Sequence, residues 1–156
     1  MFNMRFFTTL LAFALFSIIA CNKDLSPEEQ LQKDIEEIQK YLSDKGLTAT
    51  TTDSGLHYII TQEGTGGHPT LQNTVTVKYK GYLLDGTVFD ETTGAQTATF
   101  PLTNLIKGWQ EGIPLLKKGG KGTFLLPSVL GYGPQGSSGS IPPNAPLVFE
   151  IELVNF

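Results

Sequence analysis

The residues of this sequence that could carry a function are mostly aromatic side chains in its second half. They are accompanied by the segment Ile141-Pro142-Pro143. Taken singly, each is best explained as a core residue, because aromatic side chains bury large apolar areas. As a set they are unusual, and they offer apolar surface rather than nucleophilic or acid–base groups. The candidate residues are Tyr79, Phe89, Phe100, Trp109, Tyr132 and Phe149.

No motif for metal-dependent or nucleophilic catalysis is found. The two histidines, His57 and His68, are separated by a predicted turn and lack the i, i+4 spacing of a helical zinc site. We expect His57 on a strand surface and His68 in a loop. The sequence has no G-x-S-x-G motif, and the glycine-rich residues 117–122 do not match the phosphate-binding pattern G-x-x-x-x-G-K-[ST]. We therefore expect neither a metal site nor a cofactor.

The charge balance argues against nucleic acid as a partner. The 156 residues include 11 Lys and Arg against 15 Asp and Glu, a net charge of −4. Binding to a phosphate backbone needs clustered cations that displace counterions. The only arginine, Arg5, lies at the very start of the chain.

Short strands must position the candidate residues. Val75, Val77 and Tyr79 alternate with polar residues, as in a half-buried strand, and Asp85-Gly86 is a strong turn signal. A short helix is predicted at residues 105–112, and Pro114 follows it. We infer an α+β fold with a curved antiparallel sheet around this helix. The predicted strands cover residues 56–60, 75–80, 88–89, 123–126 and 147–153.

A second helix is predicted before the sheet. Ser26 as N-cap, Pro27 in the first turn and Glu29 form the pattern of a capping box, and Gly46 is placed to end the helix. Charged residues, Asp34 among them, form the face expected in solvent. An apolar stripe follows at i, i+4, i+7 and i+11. It consists of Leu31, Ile35, Ile38 and Leu42.

Three interpretations of this helix remain open. It could pack on the domain, act as a spacer, or form the seam of a dimer through the apolar stripe. A polar link without periodicity, residues 48–54, connects it to the sheet.

The N-terminus has the pattern of a secretory signal. Arg5 precedes an apolar stretch whose clean part, residues 10–20, is shorter than a membrane span. Residues 18–21, Ile-Ile-Ala-Cys, resemble the bacterial lipobox, which implies a diacylated Cys21 as the first mature residue. Cys21 is the only cysteine, so no intrachain disulfide is possible. We expect the protein at the bacterial cell envelope, lipid-anchored to a membrane on its periplasmic face or at the cell surface.

Four segments of the second half resemble the FKBP-type peptidyl-prolyl isomerases. They read VKYKGYLLDGTVFD, FPLTNLIKGWQEG, GGKGTFLLPSVLGYG and IPPNAPLVFEIEL. They occur in the family's order, from about residue 54 to residue 156. The resemblance implies a curved antiparallel sheet whose concave face holds a short helix, and the whole plan is similar to bacterial lipoprotein members with an N-terminal helical extension. We expect a signal peptide in residues 1–20, a tether and helix in 21–53, and the isomerase domain in 54–156.

The resemblance also implies a set of site residues. It identifies Trp109 as the floor of a pocket, Asp90 as a carboxylate at the rim, and Tyr132 as a hydroxyl that reaches a ligand carbonyl. The catalytic set it implies is Tyr79, Phe89, Asp90, Trp109, Tyr132 and Phe149. The implied substrate-binding residues are Phe100, Leu105, Ile106 and Ile141.

The function implied is peptidyl-prolyl cis-trans isomerisation without a cofactor. The expected partners are proline-containing polypeptides, including unfolded exported proteins, and the family's macrolide inhibitors could occupy the same pocket. The alternative is a non-catalytic binding module or chaperone that holds partners in the same groove or with the N-terminal helix.

Overall fold

The computed structural model describes residues 25–137 and 139–156. A long helix, α1, spans Pro27–Lys45, and a short helix, α2, spans Lys107–Gly112. Seven strands complete the fold. They are β1 (Thr50–Thr51), β2 (His57–Gln62), β3 (Thr74–Leu83), β4 (Val88–Glu91), β5 (Ala98–Pro101), β6 (Lys121–Leu126) and β7 (Leu147–Asn155).

The strands form one antiparallel sheet in the order β1-β2-β6-β7-β3-β4, with β5 also paired to β3. Strand β7 therefore lies between β6 and β3, and it pairs with β3 from Leu147 opposite Leu83 to Asn155 opposite Thr76. Strands β4 and β5 share one edge of β3, at its residues 80–82 and 74–77. This arrangement brings residues of β3, β4, β5 and β7 close together at one side of the sheet.

One face of the sheet packs on α2. Trp109 of the helix belongs to the same buried cluster as Phe124 of β6 and Phe149 of β7. The helix approaches closely because it carries glycines: a Cβ on Gly108 would lie 2.1 Å from Leu126 Cδ2, and one on Gly112 would lie 2.8 Å from Phe124 Cδ1. The close approach of α2 to the sheet thus depends on residues without a side chain.

The opposite face of the sheet packs on α1. Ile38 and Leu42 of α1 form a second buried cluster with Leu125 and Val148, the sheet residues next in sequence to those that face α2. Successive side chains of β6 and β7 therefore point alternately into two buried cores, one on each face of the sheet. The predicted α+β class, with a sheet around a short helix and an additional N-terminal helix, is confirmed.

The predicted ends of α1 are confirmed in detail. The Ser26 hydroxyl accepts a hydrogen bond from Glu29 N (3.2 Å), and a Glu29 carboxylate oxygen accepts from Ser26 N (2.8 Å). Gly46 ends the helix in the left-handed region with φ +64°. Of the three interpretations of α1, packing on the domain is the one observed, because Ile38 and Leu42 are buried against the sheet.

Two expectations about polar residues are wrong. Asp34 was expected in solvent but is fully buried, because it lies on the same face of α1 as Ile38 and Leu42; there it accepts hydrogen bonds from Ser128. His57 lies on strand β2 as expected, but it is only 3% exposed and its Nδ1 lies 2.9 Å from the Gly55 carbonyl oxygen. His57 lies on the same side of β2 as Ile59, which packs against the buried cluster that contains Ile38 of α1.

The boundaries of some elements also differ from those expected. The helix predicted from residue 105 begins at Lys107, after a 3-10 turn at Leu102–Asn104. Strands β1 and β5 were not predicted; the first has only two residues, and the second has four, the last of them a proline. Their pairing partners supply the hydrogen bonds that make them strands.

The predicted signal segment and Cys21 lie outside the described residues. Within residues 25–137 and 139–156, no helix has the length and apolar character needed to cross a membrane.

Candidate functional site

An open cavity of about 330 Å³ lies between α2 and the strands that meet at one side of the sheet. Most of its lining is aromatic or aliphatic, and a carboxylate, an amide and two phenols supply its side-chain polar groups. The lining residues are Tyr79, Phe89, Asp90, Phe100, Asn104, Leu105, Ile106, Trp109, Tyr132 and Phe149.

Trp109 forms the floor of the cavity. It lies on α2, is 5% exposed, and is surrounded by three aromatic rings. Its ring centroid lies 5.1 Å from that of Tyr79, 5.3 Å from that of Phe149 and 6.4 Å from that of Phe100, each pair being edge-to-face. Such pairs are favourable because a positive ring edge meets a negative ring face. The indole plane is therefore held rigidly from several sides.

The wall beside the floor is made by Phe89 of β4 and Phe149 of β7. Their ring centroids lie 5.5 Å apart in an edge-to-face arrangement. Gly81 of β3 lies beneath them: an added Cβ would be 2.5 Å from the Phe89 ring and 2.8 Å from the Phe149 ring. The two rings can meet only because β3 has no side chain at this position.

A polar rim closes one side of the cavity. The Tyr79 hydroxyl donates a 2.5 Å hydrogen bond to Asp90 Oδ2. Burial, followed by this bond and the negative charge of Asp90, raises the pKa of Tyr79 well above its usual value. Burial, and secondarily the Asp90 charge, also raises the pKa of Tyr132. Both phenols therefore remain protonated and can donate hydrogen bonds at neutral pH.

The segment before α2 also lines the cavity, through Asn104, Leu105 and Ile106. Gln110 Nε2 donates hydrogen bonds to the carbonyl oxygens of Leu105 (2.6 Å) and Thr103 (3.2 Å). These bonds hold the backbone that presents Leu105 and Ile106 to the cavity. The glutamine thus supports this segment from outside the cavity.

The indole nitrogen of Trp109 has an unusual environment. Among the buried side-chain nitrogen and oxygen atoms of the described residues, only this one has no hydrogen-bond partner. Leaving such a donor unpaired costs about 1–3 kcal/mol, and unpaired buried groups in native structures call for an explanation, which is often functional. Within the described residues, the indole ring of Trp109 therefore packs against aromatic and aliphatic side chains, and its N–H meets no hydrogen-bond acceptor.

Nine of the ten pocket residues expected from the sequence line this one cavity. The exception is Ile141, which is 6% exposed and packs in the main core, while its loop borders a separate surface groove. Asn104 lines the cavity and was not predicted. Its position immediately before Leu105 is the only feature of the sequence that could have indicated it.

The site has the groups for binding, and few for reaction chemistry. Within the described part of the chain, no group of three or more His, Cys, Asp or Glu side chains is arranged to hold a metal ion. The cavity itself offers aromatic surface, one carboxylate, one amide and two phenolic hydroxyls.

Comparison with known proteins identifies the family. The model of the FKBP-type peptidyl-prolyl cis-trans isomerase domain matches residues 66–154. The chain belongs to the FKBP-type peptidyl-prolyl cis-trans isomerase family. The resemblance stated from the four sequence segments is thereby confirmed, and the matched range contains all the cavity residues.

Several curated FKBP-type relatives are similar over most of this chain. A probable isomerase named FkpA from Neisseria meningitidis is 52% identical over 105 residues, which is 67% of this chain and 39% of the relative. FkpA from Escherichia coli K12 is 40% identical over 134 residues, 85% of this chain and 48% of the relative. The chain therefore spans less than half the length of these curated relatives.

Solved structures of FKBP-type proteins share the fold. The crystal structure of FkpA from Escherichia coli superposes with a TM-score of 0.71 at 39% identity, covering 82% of this chain and 59% of that chain. An isomerase from Pseudomonas syringae also gives a TM-score of 0.71, at 31% identity, covering 85% of this chain and 97% of that chain.

Proposed function

We propose that this protein is a peptidyl-prolyl cis-trans isomerase that binds X-Pro segments in the aromatic cavity. The observation that carries the proposal is the cavity itself: an indole floor held edge-on by three rings, with a carboxylate–phenol pair at its rim. The names of the family and of its relatives support the same activity.

The environment of the cavity suits rotation about an amide bond. The X-Pro bond is planar because of resonance, and its uncatalysed isomerisation takes tens to hundreds of seconds. The planar amide is strongly dipolar, whereas the twisted transition state has lost much of that resonance. An apolar surface disfavours the dipolar ground state more than the twisted one, and this difference in binding lowers the barrier.

The proposed roles follow the positions of the side chains. Trp109, Phe89 and Phe149 would enclose the proline ring and its amide. Tyr132, which is 40% exposed at the rim, would donate its hydroxyl to a carbonyl oxygen of the peptide. Asp90 would order the rim through its bond to Tyr79 rather than transfer a proton.

This mechanism needs no nucleophile or cofactor. Rotation forms and breaks no covalent bond, so the chain only has to bind the twisted amide better than the planar one. A thousandfold acceleration corresponds to about 4 kcal/mol of barrier lowering. A few apolar contacts and one hydrogen bond that strengthen in the transition state are sufficient for that amount.

The test is NMR exchange spectroscopy on a short Leu-Pro peptide with the full chain in detergent micelles. We expect cis/trans exchange well above the uncatalysed rate, and loss of most of the acceleration in Phe89→Ala, which removes a half-buried wall residue. The matched control is Phe156→Ala, which removes an exposed phenylalanine at the C-terminus. A macrolide ligand of the family should compete with the peptide.

The alternative is a binding module or chaperone that holds polypeptides without isomerising them. It would be supported if the folded wild-type chain bound a proline peptide at the cavity and left the exchange rate at background. It would be excluded if exchange were accelerated and the acceleration were lost in Phe89→Ala but retained in Phe156→Ala.

We further propose that the protein acts at the bacterial cell envelope on unfolded exported proteins. The proposed organisation is a signal peptide in residues 1–20, a lipid on Cys21 with a tether and helix up to residue 53, and an isomerase domain in residues 54–156. The lipobox-like residues 18–21 support it, and one relative, from Legionella longbeachae, is named an outer membrane protein. Labelling of cells with an alkyne fatty acid should mark the wild-type chain and not Cys21→Ser. Equal labelling of both chains would contradict the proposal.

A further inference from the structure

The N-terminal helix is joined to the turn that leads into the cavity by a buried carboxylate. Asp34 of α1 is 0% exposed. Its Oδ2 accepts hydrogen bonds from Ser128 N (2.7 Å) and from the Ser128 hydroxyl, and its Oδ1 accepts a 2.6 Å bond from Gln30 Nε2. Both carboxyl oxygens thus act as acceptors, and two of these three hydrogen bonds cross from α1 to Ser128, 94 residues away.

Burying a carboxylate is unfavourable in free energy, and in the described residues the groups around Asp34 stabilise it through hydrogen bonds. Among the ion pairs formed within residues 25–137 and 139–156, none includes Asp34. Removing an acidic group from water without a cation is unfavourable unless hydrogen bonds compensate it. An aliphatic residue in place of Asp34 would leave the buried N–H and hydroxyl of Ser128 without an acceptor, so the carboxylate is what holds both donors of Ser128.

Ser128 begins the segment that ends at Tyr132. It opens a 3-10 turn, Ser128–Leu130, directly after Pro127. Gly131 N then donates a 2.9 Å bond back to the Ser128 carbonyl oxygen, and Tyr132 follows at the cavity. The position of the Tyr132 ring therefore depends on a turn whose first residue is held by α1.

Apolar contacts hold α1 against the same turn. A Cβ on Gly55 would lie 3.1 Å from Ile35, 3.2 Å from Leu31 and 3.3 Å from Pro127. The two residues of α1 and Pro127 are thus packed around one glycine. The helix and the start of the turn form a continuous, closely packed unit.

We infer that Asp34 is a positioning residue for the cavity: by binding Ser128 it sets the turn that presents Tyr132 to the substrate. This rests on the proposed isomerase function for its effect on rate, but the position of Tyr132 can be tested without it. The consequence is that α1 belongs to the functional unit rather than serving only as a spacer between the domain and its tether.

The first experiment measures kcat/KM with the Leu-Pro peptide in a double-mutant cycle of Asp34→Asn and Tyr132→Phe. The asparagine keeps the shape of Asp34 but replaces one acceptor oxygen by an NH₂ group, which then faces a hydrogen-bond donor of Gln30 or Ser128. We expect Asp34→Asn alone to lower kcat/KM about fivefold or more in the folded protein, and to add little when Tyr132→Phe is already present. The control is Ile38→Val, which loosens α1 one helical turn after Asp34, at a buried position that packs on Leu125 and Val148 of the sheet. It should lower the unfolding midpoint and leave kcat/KM within about twofold.

The second variant covers the case in which Asp34→Asn does not fold. Ser128→Ala removes one of the two bonds to Asp34 Oδ2 and keeps the backbone N–H bond. It should lower kcat/KM in the same direction, and Ser128→Thr, which restores the hydroxyl, should recover it. Two results would overturn the inference. In the first, the effects of Asp34→Asn and Tyr132→Phe on kcat/KM are independent and multiply in the double variant. In the second, Asp34→Asn and Ser128→Ala both keep kcat/KM within about twofold of wild type.

The readout that does not depend on isomerase activity is the fluorine NMR spectrum of the chain labelled with 3-fluorotyrosine. The chain has five tyrosines, and Tyr132→Phe identifies the resonance of Tyr132. We expect Asp34→Asn or Ser128→Ala to move or broaden that resonance, and Ile38→Val to leave it in place. An unmoved Tyr132 resonance would reject the positioning role. Absence of peptide exchange with the wild-type chain, in contrast, would reject only the proposed isomerase function.

Discussion

The Tyr79 hydroxyl and the Asp90 carboxylate lie 2.5 Å apart across neighbouring strands β3 and β4. In the strand register, Gly81 stands opposite Asp90, so Tyr79 reaches the carboxylate diagonally along the same face. The bond ties the rim of the cavity to the strand that carries Phe89, next to Asp90 in sequence. A polar contact in an otherwise apolar site can therefore set the shape of its aromatic wall.

The first prediction concerns this pair. Asp90→Ala and Tyr79→Phe should each lower kcat/KM for the Leu-Pro peptide roughly fivefold, because a hydrogen bond to a partly exposed carboxylate contributes about 1 kcal/mol. The double variant should be hardly worse than either single one, since both remove the same bond. Asp85→Ala, which removes an exposed carboxylate in the β3–β4 turn, is the control. Effects that multiply in the double variant would show that the two residues act separately.

The second prediction concerns the Tyr132 hydroxyl. Tyr132→Phe keeps the ring and removes the proposed donor to the peptide carbonyl, so kcat/KM should fall roughly three- to tenfold. Tyr82→Phe is a matched control, because the Tyr82 hydroxyl bonds to Glu150 (3.0 Å) outside the cavity. If both variants retained wild-type kcat/KM, the hydroxyl would have no part in binding the transition state.

The third prediction concerns the glycine beneath the aromatic wall. Gly81→Ala would place a methyl group 2.5 Å from the Phe89 ring, which should lower the free energy of unfolding by about 1–3 kcal/mol through overpacking. It should also lower peptide exchange, because the wall has to move. Gly67→Ala, where an added Cβ meets nothing within 4 Å, should change neither urea denaturation nor exchange. If the Gly81→Ala chain kept wild-type stability and activity, the Phe89 and Phe149 rings would be able to move aside without cost, which would contradict the prediction.

The fourth prediction concerns pH. Burial raises the pKa of Tyr79 and of Tyr132, so neither phenol ionises near neutrality and kcat/KM should be flat from about pH 6 to 9. A folded-state pKa above the unfolded one means that the folded chain holds the proton more tightly. The resulting stability is complete below the ordinary tyrosine pKa of about 10 and is lost as the pH rises above it.

The measurements for this prediction are kcat/KM and the urea midpoint over the pH series. The urea midpoint should fall above about pH 10, and it should fall less in Tyr82→Phe, because burial also raises the pKa of Tyr82. A steep loss of kcat/KM between about pH 6 and 9 would contradict a mechanism without proton transfer.

Much of this molecule could be predicted from local sequence patterns. The capping box at Ser26 and Glu29 and the left-handed cap at Gly46 determine both ends of α1. The alternation at Val75, Val77 and Tyr79 marks the longest strand. These signals involve residues within one helical turn or a few strand positions, and the chain needs little tertiary context to obey them.

The candidate cavity could be predicted for a different reason. Nine of its lining residues were expected because four segments resemble one family, whose members share side chains at corresponding positions. The residues alone indicated only a set of aromatic side chains. Asn104 was missed because nothing in its own type or spacing marks it.

Which polar residues are buried, and which residues they contact, depends on packing between distant parts of the chain. By residue type, Asp34 was placed with the charged side chains of α1, but it lies one helical turn before Ile38 on the buried face. Its carboxylate oxygen is bound there by Ser128, 94 residues later. His57 is 3% exposed and lies on the same side of β2 as Ile59, which packs against the cluster that α1 forms with the sheet. Helix and strand periodicity specify how side chains are arranged around one element. The partner that covers each face is determined by packing between distant segments, and in this protein that packing connects the N-terminal helix to the cavity.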